Sequence, residues 1–117
     1  MNINEKLMQL EAVTGYPVCP DIYTGAADKS ITFTYEDERG VLYADNDETA
    51  TTAYIQVSLN TPESHNYMED KHRIKKELKK LEFNVESIQS WLEETKKGSE
   101  RVRRTIFNVN ITEAVEE

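Results

Sequence analysis

The sequence predicts an α+β domain, a four-stranded mixed or antiparallel sheet with two helices packed on one face. Three observations carry that expectation. Ser30–Glu36 and Ala53–Asn60 alternate apolar and polar residues with period two, the mark of half-buried strands. Two further segments repeat apolar residues at spacings of three and four, the mark of amphipathic helices. Turn-forming and acidic clusters separate these segments without any break long enough to be a linker. With 117 residues and 38% hydrophobic content, the chain supports one core of modest size. A single domain is therefore expected over residues 1–112, followed by an acidic tail at 113–117.

The first helix is expected at Asn4–Val13, where Ile3, Leu7, Leu10 and Val13 form one stripe. Asn2 or Asn4 caps it, and Gly15 followed by Pro17 stops it. Tyr16–Lys29, with two prolines and Gly25, reads as a loop. In the first strand Ile31, Phe33 and Tyr35 share one face. Asp37–Gly40 reads as a turn or bulge, and Val41-Leu42-Tyr43 as an extension of that strand or a short one of its own. In the second strand Ile55, Val57 and Leu59 oppose Gln56 and Ser58. A second helix is expected at Glu63–Glu82, with Thr61 as cap and Pro62 in the first turn, where its missing N–H costs nothing. Tyr67, Ile74, Leu78 and Leu81 make its apolar stripe, and Lys71 falls inside that stripe with its charge snorkelling outward. Phe83-Asn-Val85 opens a third strand. Residues Ser87–Lys97 fit a short helix through Ile88, Trp91 and Leu92, or a strand through Ile88, Ser90 and Leu92; the strand is favoured. The last strand places Arg103, Thr105, Phe107, Val109 and Ile111 on one face and Arg104, Ile106, Asn108 and Asn110 on the other.

A net charge of −8 disfavours nonspecific binding to duplex nucleic acid, whose affinity comes from Lys and Arg on phosphates. One Cys forbids an intramolecular disulfide and suits a reducing compartment. No apolar run approaches a membrane span, so no membrane association is expected. Met1-Asn-Ile-Asn-Glu5 lacks the basic start and apolar segment of a secretory signal, and the chain is expected to work inside the cell that makes it or to leave that cell only on lysis.

No catalytic set emerges. His65, Glu69 and His72 fall at i, i+4 and i+7, so one helix face could present all three to a divalent metal. That face also carries Lys76 and Lys80 and has no fourth ligand near in sequence, which favours a solvated surface with two ordinary histidines. Cys19 in Pro17-Val-Cys-Pro20 lacks a neighbouring base to activate it, so a half-buried structural Cys is preferred over a nucleophile. Glu36, Asp37, Glu38, Asp45, Asp47 and Glu48 crowd one region without the alternation of a calcium loop. The four glycines are scattered, which excludes a phosphate cradle. No cofactor or metal is expected, and no enzymatic activity.

The order of elements, with Ile31-Thr-Phe-Thr-Tyr35, Leu42-Tyr-Ala-Asp45 before an acidic stretch, Tyr54-Ile-Gln-Val-Ser-Leu59, a Lys/Glu-rich helix ending Leu81-Glu-Phe83 and the final Arg103–Ile111 strand, resembles the tail-terminator proteins of long-tailed bacteriophages and prophages. This tail-completion family also goes under minor capsid or head–tail joining proteins. The resemblance implies an α+β structural protein without catalytic residues, assembling as a ring, usually a hexamer. Such a ring caps the tail tube and joins it to the head connector. Its partners would be further copies of itself, the tail tube protein and the head connector protein. It would reside in the virion at the head–tail junction, and in the host bacterial cytoplasm during assembly. With that role, the subunit interface is expected to draw on Tyr54 and Trp91 as anchors and on Arg103 or Arg104 pairing with carboxylates such as Asp45 or Glu48. The alternative is an acidic intracellular inhibitor or adaptor that binds one basic protein. A small hydrolase built on Cys19 is the least favoured reading.

Overall fold

The computed structural model describes residues 2–42, 48–95 and 100–114. The chain is α+β, and its sheet has five strands where the sequence suggested four. In chain order the elements are α1 (Ile3–Met8), α2 (Leu10–Thr14), β1 (Val18–Pro20), β2 (Ser30–Leu42), β3 (Glu48–Pro62), α3 (Tyr67–Lys80), β4 (Asn84–Glu93) and β5 (Val102–Ala114). The strands lie in the order β1-β2-β3-β5-β4, with β1 parallel to β2 and every other pair antiparallel.

The N-terminal helix is broken in two at Gln9. Asn2 Oδ1 accepts the Glu5 amide at 2.8 Å, so of the two candidate caps it is Asn2 that serves. The Gln9 amide then bonds to the Lys6 carbonyl and the Ala12 amide to the Gln9 carbonyl, both three residues back. These tighter turns keep Leu7 and Leu10, three apart, on the buried side. Gly15, at φ 77°, ends α2 in the left-handed region that suits glycine.

The fifth strand comes from the segment expected to be a loop. Val18, Cys19 and Pro20 pair with Ile31, Thr32 and Phe33. Three residues are too few to show a period, and Pro20 is tolerated within β1, and Pro17 just before it, because β1 is an edge strand. Asp37–Gly40 is not a turn. A bulge lies between Tyr35 and Asp37, and β2 continues in register with β3 as far as Leu42. The second helix also starts later than expected. Thr61 and Pro62 close β3 opposite Arg103 and Val102, and Asn66 caps α3 by accepting the Met68 amide at 3.2 Å. The strand ladder to β5 claims the residues that looked like a helix start. At the other end Glu82 takes φ 74°, its amide bonds to the Lys79 carbonyl, and the Phe83 amide reaches back to the Leu78 carbonyl. This is a Schellman ending with Glu82 in the place glycine usually fills.

Residues 87–93 are strand, as favoured. β5 runs on to Ala114, with Glu113 opposite Thr51 and its carboxylate 3.7 Å from the Lys6 ammonium.

The helices cover one face of the sheet. Leu7, Leu10, Ile74 and Leu78 are fully buried against Ile31, Phe33, Ile55, Val57, Leu59, Phe107, Val109 and Ile111, and Leu81 packs at the margin. Tyr35, on the same face, donates its hydroxyl to Asn4 Oδ1 at 2.6 Å. The molecule is long, 60 × 25 × 23 Å with a radius of gyration of 16.0 Å, against about 13 Å for a compact domain of this length. The excess comes from β2, β3 and the end of β5. β4 starts opposite Asn110, at the level of Tyr54, while the β2–β3 pair continues to Leu42 and Glu48.

Candidate interaction surface

Strand alternation gives each long strand a second face, and no described helix or strand lies over it. Four rows cross it in register: Ser30, Asn60, Arg104 and Trp91; Thr32, Ser58, Ile106 and Gln89; Thr34, Gln56, Asn108 and Ser87; and Asp37, Tyr54, Asn110 and Asn84. Hydroxyls and amides dominate. Ser30, Thr32, Ser58 and Ile106 are nevertheless buried, and Asp21, Ile22 and Tyr23 line a recess with Ser30 and Thr32 at this end of the face.

The polar groups bond along the surface. Asn108 Nδ2 donates to Ser87 Oγ at 3.0 Å, Asn110 Nδ2 donates to the Glu86 carboxylate, and Thr52 and Thr112 share a hydroxyl bond of 2.7 Å. Glu36, Asp37, Tyr54, Glu86, Ser87 and Asn108 line a shallow groove of about 400 Å³ across it.

Trp91 stands beside Arg104 at one end of this face. The indole is 40% exposed and donates to Glu93 Oε1 at 2.9 Å, while Arg104 Nη2 lies 3.2 Å from Glu93 Oε2. One carboxylate thus holds both. Arg104 Nε is buried with no hydrogen-bond partner. Ile22, 75% exposed, lies near the same end in a recess lined by Tyr23, Asn60 and Arg104.

The expected interface residues therefore divide. Trp91 and Arg104 come together, and Tyr54 lies on the same face three rows away. Arg103 points to the helix side, its guanidinium 4.6 Å from the centre of the Tyr67 ring. Tyr67, placed in the apolar stripe by its spacing, is half-buried under that cation. Glu48 opens β3 opposite Leu42, remote from Trp91, and Asp45 lies outside the described residues. Arg104 takes Glu93 of its own chain as partner rather than either of those carboxylates.

The histidine face does not form, because His65 precedes α3 instead of belonging to it. Glu69 is bound to Arg73 at 2.7 Å, and His72 is exposed. Among the described residues no group of three or more potential metal ligands converges. Nor is His65 an ordinary surface residue. Its Nε2 lies 2.6 Å from Asp70 Oδ2, which also accepts the Tyr16 hydroxyl at 2.8 Å, and Tyr16 and His65 meet edge to face. Asp70 is buried in the first turn of α3. Burial, and then the bond to Asp70, push the Tyr16 phenol up to about 12. This knot ties the end of α2 to the start of α3. Sequence reasoning missed it because Tyr16 is 54 residues from Asp70.

Cys19 is half-buried in β1, its thiol 3.5 Å from the Ile22 carbonyl. Glu63 receives Arg101 through two bonds of 2.5 and 3.0 Å, joining the end of β3 to the start of β5, and this holds its carboxyl below the usual range. No described helix is long and apolar enough to cross a membrane. Neither protein-family models nor curated proteins give a match to this chain.

Proposed function

We propose that this protein is a structural component of a long-tailed phage or prophage, a tail terminator that caps the tail tube and joins it to the head connector. The observation that carries the reading is a surplus of bare sheet. No described helix or strand lies over one face of the long strands, and β2 and β3 run past the start of β4, more sheet than a free-standing domain of this size needs. A building block needs both. The element order and the short strings that resemble the tail-completion family point the same way.

The open face is suited to protein contact more than to chemistry. Several of its hydroxyls and amides bond to one another along the sheet, and Trp91 gives it an aromatic anchor next to a cation. Copies would contact one another to form a ring, hexameric in the family it resembles, with tube protein on one side and connector on the other. The net negative charge suits a passage for DNA that must not hold it. Weak interfaces leave such a chain monomeric when dilute and assemble it on a template.

Negative-stain electron microscopy of tail tubes incubated with the purified chain tests this. The expected result is a ring at one end of each tube and no further growth at that end. Tubes that bind no ring and keep elongating would remove the proposal.

A further inference from the structure

The sheet has two edges, and they are built differently. At one, β1 covers β2 from Ile31 to Phe33, and a bulge between Tyr35 and Asp37 disturbs the strand beyond it. At the other, β4 has β5 as its single neighbour among the described residues, so the outer side of its backbone is unpaired. Edge strands are usually blunted by lysine, proline, a bulge or a covering element, because bare N–H and C=O groups recruit another strand. β4 has one of these devices, a bulge between Val85 and Ser87. Past it, Ser87–Glu93 runs in unbroken register with β5, without proline or lysine, and its one charged residue is Glu93 at the very end.

The side chains of this stretch are covered from the β5 side only. Ile88 and Leu92, on the helix side, are half-buried, and Trp91, on the open side, is 40% exposed. An antiparallel pairing with the same stretch of a second copy covers them. Residues of one face must meet across such a pair, and setting Ser90 opposite Ser90 of the second copy achieves this along the whole of Ser87–Glu93. Ile88 then meets Leu92, Gln89 meets Trp91 and Ser87 meets Glu93, so no two carboxylates face each other. A register shifted by two residues either way shortens the pairing and sets Ile88 or Leu92 against Ser90. The pairing forms about six to eight main-chain hydrogen bonds, as many as an ordinary interface has in all.

We propose that β4 pairs with β4 of a second copy of this chain, antiparallel about a two-fold axis at Ser90, so that one continuous sheet spans the two copies. A contact of this kind closes at two copies. It goes beyond the ring reading above and does not depend on it.

Disulfide trapping and sedimentation test it. At the axis the two Cα atoms of residue 90 lie about 4.5–5.5 Å apart, within reach of a disulfide. In a Cys19→Ser background, Ser90→Cys should therefore cross-link into dimers on mild oxidation. Ser87→Cys, whose two copies stand about 20 Å apart, should not. In sedimentation equilibrium the wild-type chain should be dimeric at about 0.1 mM. Ser90→Lys, at an exposed position, should weaken the dimer roughly tenfold or more by setting two cations face to face, with the circular dichroism spectrum unchanged. Ser90→Glu should do the same, and an equal mixture of these two variants should dimerise again. A mixture that stays monomeric overturns the proposal. So does Ser87→Cys cross-linking as readily as Ser90→Cys, or a wild-type chain that is monomeric at about 1 mM, its β4 edge left for the extended segment of some other protein. A chain that dimerises as described but caps no tubes would remove the terminator reading and leave this pairing standing.

Discussion

The two faces of one sheet are made from the same strands and differ in almost everything else. On the helix side, β3 and β5 present Ile55, Val57, Leu59, Phe107, Val109 and Ile111, all buried under α1, α2 and α3. One residue along, the same strands place Gln56, Asn108 and Asn110, all half-buried, on the side that no described helix covers. A period of two fixes which residue goes where, and a slip of one residue would exchange the faces. The contrast shows where stability resides. The covered face has the aliphatic area that folds the chain, at about 25 cal/mol for each Å² removed from water. The open face has polar groups that cost little to leave in contact with water.

Substitutions should therefore divide by face. The largest effect is expected at Leu78, which is fully buried between α3 and the sheet. Leu78→Ala should destabilise by about 2–5 kcal/mol in urea unfolding, through lost transfer energy and the cavity left behind. A change below about 1 kcal/mol would mean that α3 is not part of the core.

The Tyr16–His65–Asp70 knot comes next. Asp70→Ala leaves two polar groups without their shared acceptor and should cost about 1–3 kcal/mol. Its pH signature is specific to Tyr16. The phenol is raised from 10.0 to about 12 in the folded chain, so its contribution is fully present below pH 10 and is lost as pH rises towards 12. Tyr16→Phe should remove that part of the alkaline slope, read as the difference between the two proteins' stabilities over this range. Identical slopes would show that the hydroxyl is not held by Asp70 in solution.

A smaller gain is expected at Glu82, whose φ of 74° is a glycine conformation. Glu82→Gly should raise stability by about 0.5–1 kcal/mol by relieving that backbone position. The smallest effect belongs to the open face. Gln89→Ala, on an exposed residue of β4, should change stability by no more than about 0.5 kcal/mol. If it unfolds the chain, the face is not spare surface.

How far the sequence could be read followed from how local each signal was. Ile74 and Leu78 were legible because one helix repeats them, and Ile55 to Leu59 because one strand alternates them. β1 was not, since three residues ending in Pro20 and preceded by Pro17 carry no period, and its pairing with Ile31–Phe33 is a tertiary choice. Thr61 and Pro62 have the composition of a helix start, yet the ladder to Val102 and Arg103 captured them. Of the candidate surface, alternation did place Arg103 and Arg104 on opposite faces. It could not show that Glu93 holds Trp91 and Arg104 together, because that depends on the register between β4 and β5. Tyr16 and Asp70 illustrate the same limit, their contact being set by the packing of α2 against α3.

The central claim, that this chain terminates tails, is tested most directly by electron microscopy of tails assembled with and without it. Without the protein, tubes should grow past their normal length and fail to join heads, and supplying the wild-type chain should restore both. Tails of unchanged length joined normally to heads in its absence would contradict the account.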